Sequence, residues 1–457
     1  MLEWVMKEFK TLQFSSHQLT KSFLTFFSRI ADNPFGSILA ACEGRAGAKA
    51  GYRLLANEAL SIEEVHRSHL DAMDERVRTE SVLLAIQDTS YVNYAGHKKT
   101  EGMGYAMNNS LGIAVHSCIA VTPEGTPVGL LAQSYVTRDN PKDTRSHEEK
   151  RERPIEEKES FRWLETMRTA SERVREEISL IHVADREGDI YELFALAEDM
   201  GEKFIIRATH DRKSLTGEHI IARVREQDAV GRVALLVPAN RPSGTKERQA
   251  LLHVRYLPTS VAKPQIRQKD LAVSPSVDLT LVSLREDHPP KGVEPLEWLL
   301  VTNLTVASFS DAAGIAEFYQ HRWKIERFHY VLKSGCKIEN IQQRSVDGIE
   351  TMLLFYSIIA IQIMLLTYTA RCSPLQSCEN LLAESEWKLL YRVANRTSID
   401  PDSPYSIQDA VKYIARLGGH AGAPSDGPPG LKSIWSGMIK LSTLHAYRDF
   451  LGSGGSR

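Results

Sequence analysis

The chain has 457 residues, which is long for a single hydrophobic core, so two to four structural units are expected. Its composition, with 42% hydrophobic and 25% charged residues, is that of an ordinary globular protein. A net charge of −2 gives no support to general binding of nucleic acid, so any such binding must depend on local basic patches. The five cysteines form no Cys-x-x-Cys pair, which argues against a disulfide framework and a structural zinc site.

Neither a signal peptide nor a membrane anchor is expected. The first residues include acidic side chains and no apolar run, so a cytoplasmic protein is predicted. Residues 351–370 run twenty positions without a charge, which is long enough to span a bilayer. However, Gln362 interrupts the stretch, and the flanks show no Lys/Arg bias. We therefore predict a buried core helix and no membrane partner, with an anchor as the alternative.

The first third of the chain changes from helical to β-rich character. Residues 1–75 have the caps and breaks of a helical unit. The apolar run at 81–86 predicts a buried strand that ends just before Asp88. Two β-rich runs, 111–121 and 127–136, are separated by Gly- and Pro-containing turn residues and predict a hairpin.

Helix and strand then alternate. A helix is predicted from about 155 to 177, followed by a second buried strand, 178–184, that ends at Asp185. A short helix at 191–199 and a third strand at 203–207 complete the pattern. This alternation predicts an α/β core.

The remainder divides into a β-rich insertion and a helical end. Short β-like segments fill 208–302, and an amphipathic helix is predicted over 310–335. We therefore expect a helical unit at 1–75, a mixed α/β unit at 76–345 that contains the insertion, and a helical unit at 346–457.

Two aspartates follow buried strands. Asp88 comes after the first apolar run and Asp185 after the second. A strand end fixes a side chain while the following loop leaves it accessible, so both positions suit ligand binding. Taken alone, each is more simply explained as a turn or N-cap aspartate.

A third carboxylate lies in the amphipathic helix among cations. At about 100° per residue, Tyr319, Arg322, Glu326 and Lys333 fall within about 60° of one another, and Trp323 borders them. A phosphodiester site would combine a carboxylate for metal, cations for phosphate and an aromatic ring for a base. An exposed charged helix is the alternative explanation of the same pattern.

These residues resemble the insertion-sequence-four superfamily of DDE transposases, and within it the Tn-five-like branch. That family carries Tyr-x2-Arg-x3-Glu-x6-Lys, which is intact from Tyr319 to Lys333. Its first catalytic aspartate is matched by Asp88, and its second, in an Asp-Arg-Glu-x-Asp context, by Asp185. The resemblance extends over nearly the whole chain.

The resemblance implies an RNase H-like core in which Asp88, Asp185 and Glu326 hold two Mg²⁺ ions, for which Mn²⁺ would substitute. Such ions could activate water or a 3′-OH for in-line phosphoryl transfer. The implied activity is cut-and-paste transposition: a homodimer in a synaptic complex nicks double-stranded DNA at transposon ends, forms and opens a hairpin, and inserts the ends into target DNA. A bacterial, nucleoid-associated cytoplasmic location follows, with dimerisation through the helices after 345.

The resemblance also implies residues that touch DNA. Two aromatic residues would serve a flipped base, with Trp298 stacking on it and Trp323 beside it. Phosphates would be held by Tyr319, Arg322, Lys333 and Arg207. The remaining cations of the N-terminal unit would bind the transposon end; these are Arg29, Arg45, Lys49 and Arg53. Without the resemblance, Trp298 could be a core aromatic, Arg207 a simple strand-end charge and the N-terminal cations ordinary exposed residues.

Two stretches depart from the family. Near the C-terminus an Arg-Lys pair often follows Arg-Leu-Gly-Gly, whereas this chain has Ala423-Pro424. A basic Gly-Asp-x-Arg-Leu-x-Lys-Arg-like run is usual in the N-terminal unit, whereas residues 15–22 here read SSHQLTKS. Fewer cations mean fewer phosphate contacts and weaker end binding. An alternative function therefore stays open: a non-catalytic DNA-binding or inhibitory relative that forms dimers with active transposase.

Overall fold

The structure is a computed structural model, and it describes residues 3–34, 36–42, 44–96, 99–106, 110–140, 145–237, 248–265, 273–423 and 426–453. The helices in these residues are α1 (Glu3–Glu8), α2 (His17–Asp32), α3 (Ile38–Ala41), α4 (Arg45–Leu55), α5 (Ile62–Arg76), α6 (His147–Glu152), α7 (Phe161–Glu172), α8 (Tyr191–Met200), α9 (Ile220–Glu226), α10 (Phe309–Gln320), α11 (Trp323–Tyr330), α12 (Val346–Cys372), α13 (Glu384–Asn395), α14 (Ile407–Leu417) and α15 (Leu431–Ser453).

The strands form one nine-stranded sheet. They are β1 (Val82–Asn93), β2 (Gly112–Val121), β3 (Pro127–Val136), β4 (Ser179–Ala184), β5 (Lys203–Arg207), β6 (Gly231–Val237), β7 (Arg248–Ala262), β8 (Ser276–Arg285) and β9 (Glu297–Thr302). Their order is β3-β2-β1-β4-β5-β9-β8-β7-β6. The β1–β4 and β4–β5 pairs are parallel, and the other pairs are antiparallel. The expected mixed α/β class is therefore confirmed.

The N-terminal helices pack on the long helix α12. Ser16 caps α2 by accepting a hydrogen bond from the Leu19 N–H at 3.2 Å. Phe23 and Phe27 of α2 meet Phe355 of α12 with ring centroids 5.4 and 5.6 Å apart. The predicted helical character of the first 75 residues is thus present in the described part, and its core is continuous with that of α12.

Helix α12 confirms the prediction of a buried core helix. It has 27 residues and is long and apolar enough to cross a membrane, but 89% of its most apolar window is buried inside the protein. Its mid-helix amide, Gln362, donates a hydrogen bond to the buried Glu8 of α1. The polar residue that interrupts the apolar stretch is therefore satisfied by a partner within the fold.

Helix α5 covers the edge strand β3 through two histidines. The N–H of Leu130 donates to Nε2 of His69 at 2.8 Å, and the carbonyl of Leu130 lies 2.7 Å from Nε2 of His66. Burial, followed by the nearby charge of Arg173, lowers the pKa of His66 to about 3. Both outward-facing backbone groups of Leu130 are thus paired, which protects the sheet edge.

The position predicted for Asp88, past the end of its strand, was wrong. Strand β1 continues to Asn93, and Asp88 pairs with Ser117 of β2. On the other side of β1, however, the parallel pairing with β4 stops at Ile86 and Val183. Asp88 therefore lies inside the antiparallel pair of β1 with β2, but beyond the last residue of β1 that pairs with β4.

Two predicted helices are shorter than expected. The helix expected from 155 to 177 is a 3₁₀ turn, Ile155–Glu157, followed by α7. The helix expected over 310–335 is α10, then α11, then a π-helical turn at Val331–Gly335. The interruption lies at His321, whose Nε2 is 2.8 Å from the carbonyl oxygen of Pro123 in the β2–β3 turn. A tertiary contact thus coincides with a break that helical periodicity alone does not reveal.

The insertion over 208–302 is β-rich as predicted, and it also contains the helix α9. It is not a separate sheet, because β9 pairs with β5, and β8, β7 and β6 follow β9 in the same sheet. The last strand of the insertion therefore pairs with β5, which in turn pairs with β4, the strand that precedes Asp185.

Candidate active site and nucleic-acid interface

The three carboxylates predicted as a triad lie near the carboxyl end of β4, where its parallel pairing with β1 stops. Asp88 and Asp185 lie where the paired strands β1 and β4 separate, and Glu326 comes from α11, which packs on β1. Burial, followed by the negative charges of Asp185 and Glu326, raises the pKa of Asp88 to about 7, although the N–H of Thr89 and the charge of Arg322 oppose that rise. Asp88 therefore lies within electrostatic range of both other carboxylates.

Local hydrogen bonds orient each carboxylate. Oδ1 of Asp88 accepts from the N–H of Thr89 at 2.8 Å, and Oδ1 of Asp185 accepts from the N–H of Glu187 at 2.8 Å. Glu326 is held by Arg322, whose Nη2 lies 2.7 Å from Oε1. Asp185 is therefore an N-cap, as the simpler sequence explanation has it, and at the same time a member of the cluster.

The donor set suits a divalent cation. Carboxylate oxygens are the ligands that Mg²⁺ and Mn²⁺ favour. A cation would also relieve the repulsion that raises the pKa of Asp88. In the described residues, no three His, Cys, Asp or Glu side chains are close enough together to hold a metal ion, so these three carboxylates would have to draw closer to share one.

Tyr319 and Arg322 present buried polar atoms to the same region. The Tyr319 hydroxyl and the Arg322 Nε are buried, and neither meets hydrogen-bond geometry with a described residue. Burial raises the pKa of Tyr319, whereas the charges of Arg322 and Arg207 oppose that rise. Buried donors beside carboxylates are suited to an oxygen-rich ligand such as a phosphate.

The two tryptophans differ in accessibility. Trp298 of β9 is 9% exposed and packs edge-to-face on Tyr319, with centroids 5.3 Å apart. Trp323 is 54% exposed, and the Arg322 guanidinium carbon lies 4.7 Å from its ring centroid. In this arrangement Trp323 offers a stacking surface, whereas Trp298 matches its alternative description as a core aromatic.

Arg207 and Lys333 are placed differently. Arg207 ends β5, its Nη2 donates to the Glu297 carbonyl at 3.1 Å, and burial followed by the charges of Arg186 and Arg322 lowers its pKa. Its charge also acts on Tyr319, which places it beside the cluster. Lys333 is half-buried in the π-helical turn, and its charge acts on the buried His329. Arg207 therefore adjoins the site directly, and Lys333 lies further along the helix.

The loop after β5 is fixed by Asp189, the last residue of the Asp-Arg-Glu-Gly-Asp segment. Its Oδ2 accepts the N–H groups of Thr209 and His210 at 2.6 and 2.7 Å. Arg212 binds its other oxygen at 2.5 Å and donates to its backbone carbonyl at 2.8 Å. This buried network ties the turn after Asp185 to the backbone that follows Arg207.

Sequence reasoning missed Arg162, which joins the two aspartate-bearing segments from behind the sheet. Arg162 lies in α7, is 6% exposed, and donates from Nε to Oγ1 of Thr89 at 3.0 Å. Its Nη2 donates to Oε2 of Glu187 at 2.8 Å, and its Nη1 donates to the Glu159 carbonyl at 2.6 Å. Thr89 follows Asp88 directly, so one guanidinium couples the positions of both aspartates. A buried arginine in a helix rich in charged residues gives no periodic signal.

A basic groove of about 960 Å³ lies between α4 and residues 342–348. Three predicted DNA-binding residues, Arg45, Lys49 and Arg53, line it at spacings of four along α4. The opposite wall includes Arg344, which the sequence analysis did not single out. Arg29 lies elsewhere, in a hollow between α2 and α4. The structure thus brings three of the four N-terminal candidates together.

Comparison with known proteins adds two family matches. A family model described as transposase DNA-binding matches residues 1–60, and one described as transposase DDE domain matches residues 159–362. Asp185 and Glu326 lie inside the second match, and Asp88 lies between the two. These two matches place the chain in the class of DNA-binding proteins that act in DNA transposition. The chain carries the DNA-binding domain and the DDE domain of a transposase.

One solved structure is also similar. It is the piggyBac transposase synaptic complex with hairpin DNA, which matches at 8% sequence identity with a TM-score of 0.39. The match covers 98% of this chain and 78% of that chain. A similarity at this level carries no argument about the arrangement or function of this chain.

Proposed function

We propose that this DDE transposase is a cut-and-paste enzyme of the insertion-sequence-four superfamily, in its Tn-five-like branch. It would cleave transposon ends through a hairpin and insert them into target DNA. The observation that carries the proposal is the convergence of Asp88, Asp185 and Glu326, expressed in the raised pKa of Asp88. Neighbouring carboxylates that are partly withdrawn from water repel one another unless a cation or a proton joins them.

Asp88, Asp185 and Glu326 would hold the divalent ions, Mg²⁺ or Mn²⁺, on an RNase H-like core. Bound there, such ions supply Lewis-acid activation of a water or 3′-OH and stabilisation of the leaving oxygen. The backbone N–H groups of Thr89 and Glu187 orient the two aspartates. Arg162 fixes both segments from the far side of the sheet.

The phosphodiester would be held by buried donors beside the carboxylates. Tyr319 and Arg322 offer a buried hydroxyl and a buried Nε, and Arg207 adds a second guanidinium beside them. Arg322 also holds Glu326, so its charge is shared between a carboxylate and the incoming phosphate. Trp323 is exposed and offers its ring to an unstacked base.

The transposon end would lie along the groove between α4 and residues 342–345. The cations of this groove are spaced along one face of α4, which suits contact with successive phosphates of the DNA. We assign residues 1–75 to end binding, 76–345 to catalysis and the helices after 345 to homodimer formation. The setting would be the nucleoid of a bacterial cytoplasm.

A cleavage assay tests the proposal. The protein and its Asp185→Ala variant would be incubated with Mg²⁺ and an end-labelled duplex from the DNA that flanks its gene, with products resolved on a denaturing gel. Nicks and hairpins that require both Mg²⁺ and Asp185 are expected. Binding without cleavage at any flanking sequence would contradict the proposal and favour an inhibitory relative with a depleted N-terminal stretch.

A further inference from the structure

A second basic cleft lies at the far end of α12, outside the site described above. It has a volume of about 380 Å³ and is formed by the end of α12, one face of α14 and the Pro-containing segment 427–429. Gln408, Lys412 and Arg416 line it at spacings of four along α14, and His420 follows beyond the helix end. Arg371 of α12 lies across from them.

The cleft has a charge that the chain as a whole lacks. The described residues that line it include three cations and no carboxylate, although the whole chain carries a net charge of −2. Lys412 pairs with Asp409 at 3.1 Å, but both side chains are about half exposed, so that pair neutralises little. Arg416 makes no ion pair with a described residue, and it is exposed. An anionic ligand is the chemical complement of this cleft.

The walls of the cleft are fixed. Nη2 of Arg371 donates to the Pro429 carbonyl at 2.8 Å, and its guanidinium lies 5.0 Å from the ring centroid of Tyr368. Proline restricts the backbone of the covering segment, so this contact holds a defined shape. The same Tyr368 ring has the ammonium of Lys324 at 5.4 Å, and Lys324 belongs to the catalytic helix α11. The cleft is therefore joined to the catalytic helix by a row of two cations and one aromatic ring.

The cleft and the α4 groove lie at opposite ends of one helix. The groove includes Ser345 and Gly348 at the start of α12, whereas the cleft includes Arg371 near its end. A 27-residue helix is about 40 Å long. At about 3.4 Å per base pair this separation equals roughly one turn of duplex. A duplex segment in the groove and a phosphate in the cleft would thus lie at the two ends of α12.

We propose that the cleft formed by Arg371, Lys412 and Arg416 binds the phosphodiester backbone of duplex DNA, independently of sequence, about one helical turn from the α4 groove. The proposal rests on the proposed function, because it assigns the cleft to DNA beyond the cleaved bond. That DNA is either the donor flank or the target, and both present the same phosphates.

The test measures how binding depends on salt. The full chain and a Lys412→Gln/Arg416→Gln variant would bind a 40-base-pair duplex of unrelated sequence, without metal, between about 50 and 200 mM salt. The matched control is Arg396→Gln/Lys440→Gln, which removes one arginine and one lysine from exposed positions outside the cleft. An Arg416→Lys variant keeps the charge. Thermal unfolding of all four proteins checks that each is folded.

Each lost phosphate contact lowers the slope of log K against log salt by about 0.9. The cleft variant should therefore lose about one to two units of slope, whereas the control and Arg416→Lys should match the wild type. Equal slopes for cleft variant and wild type, or an equal loss in the control, would overturn the proposal. A defect on flanked end duplexes would assign the cleft to the flank, and a defect in strand transfer alone would assign it to the target. Because the assay measures binding without cleavage, its result can be interpreted even if the protein proves not to be an active transposase.

Discussion

Arg162 provides the sharpest mutational test of how the site is built. In an Arg162→Met variant the side-chain volume is kept, but the donors to Thr89, Glu159 and Glu187 are lost. Glu187 is 51% exposed and can be resolvated, and Oγ1 of Thr89 keeps Nδ1 of His116 at 2.9 Å. The stability loss should therefore be modest, about 2 kcal/mol.

The catalytic loss should be larger than the stability loss. Partners that orient metal ligands typically account for about 10- to 100-fold in metal affinity or activity. We expect single-turnover cleavage to slow by about 100-fold and the Mg²⁺ midpoint to rise about 10-fold, with DNA binding preserved. Arg168→Met is the matched control, because Arg168 is an exposed arginine on the same helix.

The Mg²⁺ midpoint separates positioning from general support of the fold. A merely structural role would lower the unfolding temperature and the amount of active protein, but would leave the midpoint unchanged. An Arg162→Met protein with the midpoint of the wild type would therefore refute the argument that this guanidinium places the aspartates.

Three further outcomes are expected. The pKa of Asp88 is raised from 3.8 to about 7, so its ionisation opposes folding progressively from about pH 4 and fully above pH 7. Without metal at pH 8, Asp88→Asn should therefore raise the unfolding temperature, which corresponds to a gain of up to about 4 kcal/mol in the free energy of unfolding. The same variant should lose the stabilisation that Mg²⁺ gives the wild type. The pKa of His66 is lowered from 6.5 to about 3, so the stability it contributes is complete above pH 6.5 and is lost between pH 6.5 and 3; His66→Gln should flatten that part of a pH–denaturation profile. Trp323→Ala should weaken binding of an unpaired DNA end by about 1–3 kcal/mol without changing the unfolding temperature, whereas Trp298→Ala should lower that temperature, because Trp298 is buried.

Each of these outcomes has a contrary result. An unchanged unfolding temperature for Asp88→Asn in chelator would mean that the carboxylates do not repel one another. An acid transition of His66→Gln identical to that of the wild type would place the protonating group elsewhere. A lowered unfolding temperature for Trp323→Ala would show that its exposed ring supports the fold.

The sequence predicts those elements whose patterns are local. Strand β5 was predicted with the bounds Lys203–Arg207 that it has, since a short apolar run between turns has few alternatives. The three carboxylates proposed as catalytic are predicted from a four-residue signature and from two aspartates after apolar runs. Each of these signals lies within a few residues of the chain.

What the sequence does not show depends on distant partners. The length of β1 depends on pairing with β2, and the break at His321 coincides with a contact to Pro123, so neither appears in periodicity. Arg162 and Arg344 lie among other charged or polar residues, and their importance arises only from what lies across from them. Long-range packing therefore decides these features.

The central claim, that Asp88, Asp185 and Glu326 form one metal site, can be tested without knowledge of the DNA substrate. Fe²⁺ would replace Mg²⁺ in the presence of ascorbate and hydrogen peroxide, and the hydroxyl radicals formed at the bound metal would cut the nearby backbone. Cuts at three places, near residues 88, 185 and 326, are expected in the wild type, and their loss in Asp185→Ala and with excess Mg²⁺. Absence of cuts at these positions, or cuts that persist in Asp185→Ala, would contradict the assignment of the metal site.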